Sequence, residues 1–147
     1  MKPERYRIVT FEVPGNPVPQ SRPRFTKNGH VYEDAKVREY KYRVARIARL
    51  VMGGREPMEG AVMCKCKFIF EPPKSMSKKR ASAMVGSWCM VKKDTDNLIK
   101  SVTDSISGIV YVDDKQIVSL QGEKRYGYPA RVEVEICEEE EKTLLRI

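Results

Sequence analysis

The stretch that organises this chain is KDTDNLIKSVTDSISGIVYVDDKQIV, residues 93–118. Asp96 is a good N-cap for a helix that Gly108 would end. The apolar positions of that helix recur at three and four residues, as an amphipathic helix requires: Leu98, Ile99, Val102 and Ile106. Residues 109–112 (IVYV) then predict a short strand, which leads into an acidic pair.

Three or four carboxylates of this stretch are expected to meet at one place. Asp94 and Asp96 stand two positions apart, so in an extended segment their side chains project from the same side. A helix from Asp96 would travel about 18 Å away, and the strand after it would return over about 20 Å. Asp113 and Asp114 would therefore lie beside Asp94 and Asp96, and spacing alone does not choose between the two.

Converging carboxylates repel one another unless a cation neutralises them. A ligand set made only of oxygens favours Mg²⁺, with Mn²⁺ as a possible substitute. Such a metal can activate a water and stabilise charge on a phosphate. Lys100, one turn after Asp96, would be a fixed positive group on the same helix face. The plainer alternative is that Asp96 only caps a helix, that Asp113-Asp114 forms a turn, and that Asp104 pairs with Lys100 on the surface.

The remaining patterns predict an α+β fold, a mixed β-sheet flanked by helices, in one domain over residues 1–137 with an acidic tail over residues 138–147. Strands are predicted at residues 7–13, 61–70, 116–121 and 131–136, and helices at residues 34–52 and 75–84. Four prolines exclude regular structure from residues 14–24 and make them a stiff loop that carries two arginines. The apolar residues of the helix at 34–52 would pack in the core or, less simply, form a dimer interface.

Composition limits the kind of protein. The chain has 147 residues, 41% hydrophobic and 33% charged, which fits one soluble globular domain. It contains neither the run of about 18–20 apolar residues that spans a bilayer nor an N-terminal signal pattern. Cys64, Cys66, Cys89 and Cys137 lack the spacing of a zinc site, so they are expected to be reduced thiols in a cytoplasmic protein. No membrane association and no small-molecule cofactor are expected.

The positive charge points to a polyanionic partner. The formal charge is +8, yet residues 133–147 hold six acids against two bases. Residues 1–132 then carry 26 bases and 14 acids, a net charge of +12, which favours nucleic acid. The candidate phosphate contacts, which would give salt-dependent affinity, are Arg22, Arg24, Lys27 and Lys93. The alternative is a basic face that is merely solvated.

The central stretch resembles the motif of the RusA-type Holliday junction resolvases, which reads approximately D-x-D-N-L-x-K, then an Asp, then DD-x-Q-[IV]. The matching positions are residues 93–100, Asp104, Gly108 and residues 110–118. The earlier segment GNPVP, residues 15–19, with Arg22, Pro23 and Arg24 after it, is similar to the Gly/Pro/Arg-rich loop of that family. Thr95 departs from the family pattern, where an apolar residue is common. The resemblance extends from residue 15 to about residue 120.

The resemblance implies a homodimeric, Mg²⁺-dependent endonuclease that resolves four-way DNA junctions by paired, symmetric nicks in recombination and repair. Carried over by position, the catalytic acids and metal ligands are Asp94, Asp96 and Asp114, and the essential lysine is Lys100. A two-fold dimer would match the two-fold symmetry of a junction. Two other functions stay open: a nuclease of broader specificity on branched DNA, and a non-catalytic DNA-binding protein.

Overall fold

In the computed structural model, which describes residues 7–139, helices pack on one face of a mixed four-stranded sheet. The α+β architecture predicted from the sequence is confirmed. The strands are β1 (Arg7–Pro14), β2 (Arg24–Phe25), β3 (Val31–Tyr32), β4 (Val62–Phe70), β5 (Ile117–Tyr126) and β6 (Arg131–Glu138). The helices are α1 (Ala35–Met52), α2 (Lys78–Met84) and α3 (Thr95–Ile106), and a 3-10 turn covers Asp114–Gln116.

The four long strands lie in the order β1-β6-β4-β5. β6 is antiparallel to both of its neighbours, whereas β4 and β5 are parallel. Parallel strands need a crossover connection, and the chain between β4 and β5 provides it with α2 and α3. β5 is therefore an edge strand, and α3 packs against it. Strands β2 and β3 form a separate two-stranded hairpin that the sequence patterns did not predict.

Alternation along the strands explains the core. Alternate residues of β1, β4 and β6 are buried on the face that α1 and α3 cover. The buried positions of α1 are Val37, Tyr40, Val44, Ala48 and Met52. This apolar stripe therefore packs in the core, which is the simpler of the two predictions for it. The opposite face of the sheet is exposed and charged, with Glu12, Lys65, Lys67 and Glu135 among its residues.

Two local predictions in the central stretch are wrong. The N-cap of α3 is Asp94, because its extended backbone places its carbonyl oxygen 3.0 Å from the N–H of Leu98, the first helical hydrogen bond. Asp96 lies inside the first turn. The predicted strand at residues 109–112 is a tight turn, in which the N–H of Gly108 (φ 83°) donates to the carbonyl oxygen of Tyr111 over 2.7 Å. Val110 and Tyr111 are fully buried there, so their apolar character fills the core.

Other elements begin or end a few residues away from their predicted boundaries. α2 begins at Lys78 with Ser77 as N-cap, and β5 continues to Tyr126 instead of residue 121. Glu138 is the last residue of β6, so the acidic segment predicted from residue 138 begins inside the sheet, and residues 140–147 of it lie outside the described residues. Among residues 7–139, no helix is long and apolar enough to cross a membrane.

Candidate active site at the mouth of α3

The mouth of α3, residues 94–97, presents two exposed carboxylates to solvent. Asp94 accepts no side-chain capping bond, and Asp96 accepts only the N–H of its neighbour Asn97, over 2.9 Å. Neither forms an ion pair with any other described residue. Both carboxylates therefore keep oxygen lone pairs available for a ligand, beside the partly positive N-terminus of the helix.

The proline-rich loop, residues 14–23, is held across this mouth by hydrogen bonds. The N–H of Gln20 donates to the carbonyl oxygen of Asn97 over 2.9 Å. The ammonium of Lys93 donates to the carbonyl oxygen of Pro17 over 2.8 Å. These two bonds hold the loop on both sides of Asp94 along the chain, so the loop forms one wall of the candidate site.

The side chain of Lys93 is partly buried rather than fully exposed to solvent. Its ammonium is half-buried and stands 5.2 Å from the centre of the Phe70 ring. Burial lowers the pKa of Lys93, and the positive charge of Lys36 lowers it further. The predicted contact of Lys93 with DNA stays a prediction, and the geometry favours a structural task, the attachment of the loop.

A second set of contacts, centred on Glu33, fixes the same loop. One oxygen of Glu33 accepts from the ammonium of Lys41 over 2.7 Å and from the amide of Gln20 over 2.9 Å. These bonds, that of Lys41 above all, lower the pKa of Glu33. Lys41 also lies 3.7 Å from Asp104 of α3. The ion pair suggested for Asp104 and Lys100 is absent from the described residues, since Asp104 faces Lys41 instead.

The structure separates the two acids that spacing left equivalent. Asp113 caps the 3-10 turn: its side chain accepts from the N–H of Lys115 over 2.9 Å, and its own N–H donates to the side-chain oxygen of Gln116 over 2.8 Å. Gln116 in turn donates to the carbonyl oxygens of Met58 and Gly60. Asp114 is exposed and has no such capping task. A ligand role therefore suits Asp114 better than Asp113.

Asp114 does not lie at the mouth of α3 in the same chain. The hydroxyl of Tyr111 donates to the carbonyl oxygen of Thr103 over 2.6 Å, and the charge of Asp114, after burial, raises the pKa of that hydroxyl. Asp114 is thus near Thr103, nine residues and about 13 Å along the helix from Asp94. Among residues 7–139, no three His, Cys, Asp or Glu side chains are close enough to hold one metal ion. The convergence expected within one chain depended on the strand at residues 109–112, which does not form.

Two residues that the sequence patterns missed position the mouth on the sheet. Lys124 of β5 donates to the carbonyl oxygens of Val91 and Lys93, over 3.1 and 2.8 Å. A Cβ on Gly122 would lie 2.8 Å from Cγ1 of Ile99 and 3.3 Å from Cγ2 of Thr95, so only glycine lets α3 lie this close to β5. A glycine inside a strand pattern is the signal that could have indicated this close approach.

The basic residues predicted to contact phosphates lie on the far part of the same loop and on the hairpin. Arg22, Arg24 and Lys27 are all exposed. Arg24 is the one among them that pairs with an acid in the described part of the chain, Asp34, at 3.0 Å. An exposed cationic segment therefore continues directly from the wall of the candidate site.

The comparisons with known proteins show which family the chain belongs to. The family model described as Endodeoxyribonuclease RusA matches residues 14–137, from the end of β1 to β6. A relative in Bacillus subtilis (strain 168), the uncharacterised protein YqaN, is 37% identical over 140 residues, which cover 88% of this chain and 96% of that protein. The chain is a member of the RusA endodeoxyribonuclease family.

Proposed function

We propose that the protein is a Mg²⁺-dependent, structure-selective endonuclease that resolves four-way DNA junctions by paired, symmetric nicks. The observation that carries the proposal is the pair of exposed carboxylates, Asp94 and Asp96, at a helix mouth within a strongly basic chain. Acids without ion-pair partners are unfavourable next to DNA unless a cation bridges them to the phosphate. Membership of the family supports the same reaction class.

The donor atoms fit a hard divalent cation. Asp94, Asp96 and Asp114 would supply only carboxylate oxygens, which Mg²⁺ prefers and Mn²⁺ accepts. When bound, such a metal would activate a water and stabilise charge on the phosphate. The two acids at the mouth would supply two of these ligands, whereas Asp114, which lies near Thr103, would have to approach the metal from a different position.

Lys100 is the chain's own candidate for stabilising the transition state. It lies one turn after Asp96 on α3, is exposed, and has no acidic partner within residues 7–139. Its ammonium can therefore approach a phosphate oxygen or the leaving oxygen without first breaking an ion pair.

DNA binding and cleavage would use different surfaces of the protein. Arg22, Arg24 and Lys27 would bind phosphates on the loop, and exposed basic residues of α1 would extend that surface: Lys36, Arg38, Arg46 and Arg49. Contacts of this kind give affinity and orientation without sequence information. A homodimer would present two such surfaces with the symmetry of a four-way junction.

The test compares cleavage of a four-way junction with cleavage of linear duplexes of the same arm sequences, in Mg²⁺ and in EDTA. The native protein should nick the junction only with metal. Asp94→Asn should bind the junction without nicking it, because the substitution keeps the shape of the side chain and removes its charge. Glu135→Gln, a matched change on the exposed face of the sheet, should cut as the native chain does.

Two results would contradict the proposal. Equal cutting of the linear duplexes would remove junction selectivity and favour the broader nuclease. Undiminished cutting by Asp94→Asn, Asp96→Asn and Asp114→Asn, each tested alone, would show that the acids are not the site.

A further inference from the structure

We infer that Trp88 is a stacking platform for a nucleobase that is left unpaired at the branch point of the junction. This deepens the proposed function and rests on it, since the centre of a four-way junction can offer bases that a linear duplex keeps paired. Trp88 is the one tryptophan of the chain and lies six residues before Asp94. It therefore stands on the segment that leads directly to the mouth of α3.

The indole ring of Trp88 is open to solvent. The residue is 63% exposed, whereas its neighbour Cys89 is 3% exposed and belongs to the core. Tryptophan is highly buried on average, so a ring that is left in water contributes little to folding. Such a ring offers a π-face on which any base can stack.

Hydrogen bonds to β5 hold the backbone of this ring in place. The N–H of Cys89 donates to the carbonyl oxygen of Lys124 over 3.0 Å. The N–H of Tyr126 donates to the carbonyl oxygen of Ser87 over 2.9 Å. Residues 87–89 therefore extend the edge of the sheet. Because the backbone is already ordered, little freedom is lost when a base stacks on the ring.

Arg125 covers one face of the ring and leaves the rest of it free. Its guanidinium carbon lies 3.4 Å from the centre of the Trp88 ring. The same guanidinium donates to the carbonyl oxygen of Gly86 over 2.8 Å and lies 3.5 Å from a carboxylate oxygen of Glu123. Arg125 is thus fixed on its own side, and the exposed part of the ring includes the other face. Sites for unpaired nucleic acid combine base stacking with arginine cations in the same way.

The ring and the mouth of α3 border the same space. Trp88 lines an open cavity of about 320 Å³, with residues 121–124 of β5 as its floor. Thr95, whose neighbours in sequence are Asp94 and Asp96, lines the same cavity. This volume is within the range of small-molecule sites, about 300–1,000 Å³. A base on Trp88 would therefore leave its own DNA strand close to the acids of the mouth.

The chain around Trp88 has the charge that DNA requires. Residues 72–93 contain no acid and six basic residues: Lys74, Lys78, Lys79, Arg80, Lys92 and Lys93. All of these except Lys93 are exposed, and none of the exposed five pairs with an acid within residues 7–139. They can attract the phosphates on either side of a stacked base. Glu123, which lines the cavity, disfavours a phosphate there but not a neutral base.

Tryptophan fluorescence of the native protein tests this directly, because Trp88 is the one tryptophan and its emission reports on this ring alone. Titration with a four-way junction in EDTA, which prevents cleavage, should quench the emission, since a stacked base quenches an indole. A linear duplex of the same arm sequences should quench it much less at saturation, because its bases stay paired.

Binding measurements with variants give a second readout. Trp88→Ala should bind the junction about 5–150-fold more weakly, the effect of removing the aromatic partner of one stacked base. Its affinity for the linear duplex should stay native. Trp88→Phe, which keeps an aromatic ring, should retain most of the affinity for the junction. Met90→Ala, at a position on the same segment that is 92% exposed, is the matched control and should bind both substrates as the native chain does.

The outcomes separate the two proposals. Unquenched emission with saturating junction would overturn the platform, and so would a Trp88→Ala variant that binds the junction like the native chain or loses affinity for both substrates equally. If the native protein still cuts the junction with metal, the proposed function stands without the platform. If the native protein with metal cuts nothing, the proposed function fails. In that case the difference in quenching between junction and duplex, which needs neither cleavage nor a variant, decides whether Trp88 takes a base.

Discussion

The hydroxyl of Tyr111 donates to the carbonyl oxygen of Thr103 over 2.6 Å and ties the turn after α3 to the last part of that helix. Both the ring and the bond are buried. The bond helps to position the acids of residues 113–114, because it holds the chain beside Thr103 before β5 begins. Asp114 therefore lies near Thr103, towards the opposite end of α3 from Asp94 and Asp96.

Tyr111→Phe should lower the free energy of unfolding by about 1–3 kcal/mol, because a buried carbonyl loses its donor. Urea denaturation followed by circular dichroism measures the change. Tyr42→Phe, at a position that is 69% exposed, should unfold like the native chain. A similar small effect of both substitutions would mean that the bond does not hold the turn.

Lys93→Met should loosen the proline-rich loop while leaving the fold intact. The thioether side chain can occupy the same half-buried space, yet it cannot donate to Pro17, so amide hydrogen exchange should become faster in residues 15–21. The neighbouring exposed residue provides the control, since Lys92→Met should leave exchange in the loop as it is. Unchanged exchange in both variants would contradict the anchoring role.

Salt dependence should separate phosphate contacts from structural lysines. Each phosphate contact that is lost should reduce the slope of log K against log salt by about 1. Arg22→Ala and Lys27→Ala are expected to show this reduction with a junction substrate, because both side chains are exposed beside the site. Lys93→Met should keep the native slope. A reduced slope for Lys93→Met would instead restore its predicted contact with DNA.

The stabilisation from Glu33 should depend on pH. Its carboxylate has a pKa below the ordinary 4.5, chiefly because Lys41 and then Gln20 donate to it. A depressed folded-state pKa stabilises the fold above the unfolded value, and the contribution is lost as pH falls through the folded value. Glu33→Gln should therefore be less stable than the native chain at pH 7, with a difference that shrinks below pH 4.5.

Urea denaturation at several pH values gives that difference. Glu39→Gln on the exposed face of α1 serves as the control and should track the native chain throughout. A gap between Glu33→Gln and the native chain that keeps its size from pH 7 to below 4.5 would show that ionisation of Glu33 is not its source.

Lys100→Met should reduce the rate of junction nicking by about 10²–10³, the size typical of removing one group that stabilises transition-state charge. Its affinity for the junction and its unfolding midpoint should change little, because the side chain is exposed and unpaired among the described residues. Single-turnover cleavage with saturating enzyme separates the rate from binding. Lys100→Arg, which keeps the charge, should retain more activity than Lys100→Met, and equal activities would argue against an electrostatic role.

Much of the fold follows from local pattern. β1, β4, β6 and α1 lie within a few residues of their predicted bounds, because each shows the period of its own structure in the residues it buries. Asp94 and Asp96 at the start of a helix follow from the same reasoning. The pattern failed at residues 109–112, where four apolar residues are buried or half-exposed in a turn; a short apolar run carries no period that distinguishes these cases.

By itself, the sequence determined the elements, the sign of the charge and the acids and lysine available for chemistry, since those depend on residue type and spacing. Only the tertiary structure decided which residues these side chains contact. It placed Lys93 against Pro17, Asp104 near Lys41 and Asp114 beside Tyr111. These contacts join residues that are far apart or follow an unpredicted turn, so no local period encodes them. For the same reason, the separation of Asp94 from Asp114 depends on how α3 packs against β5, which no local pattern predicts.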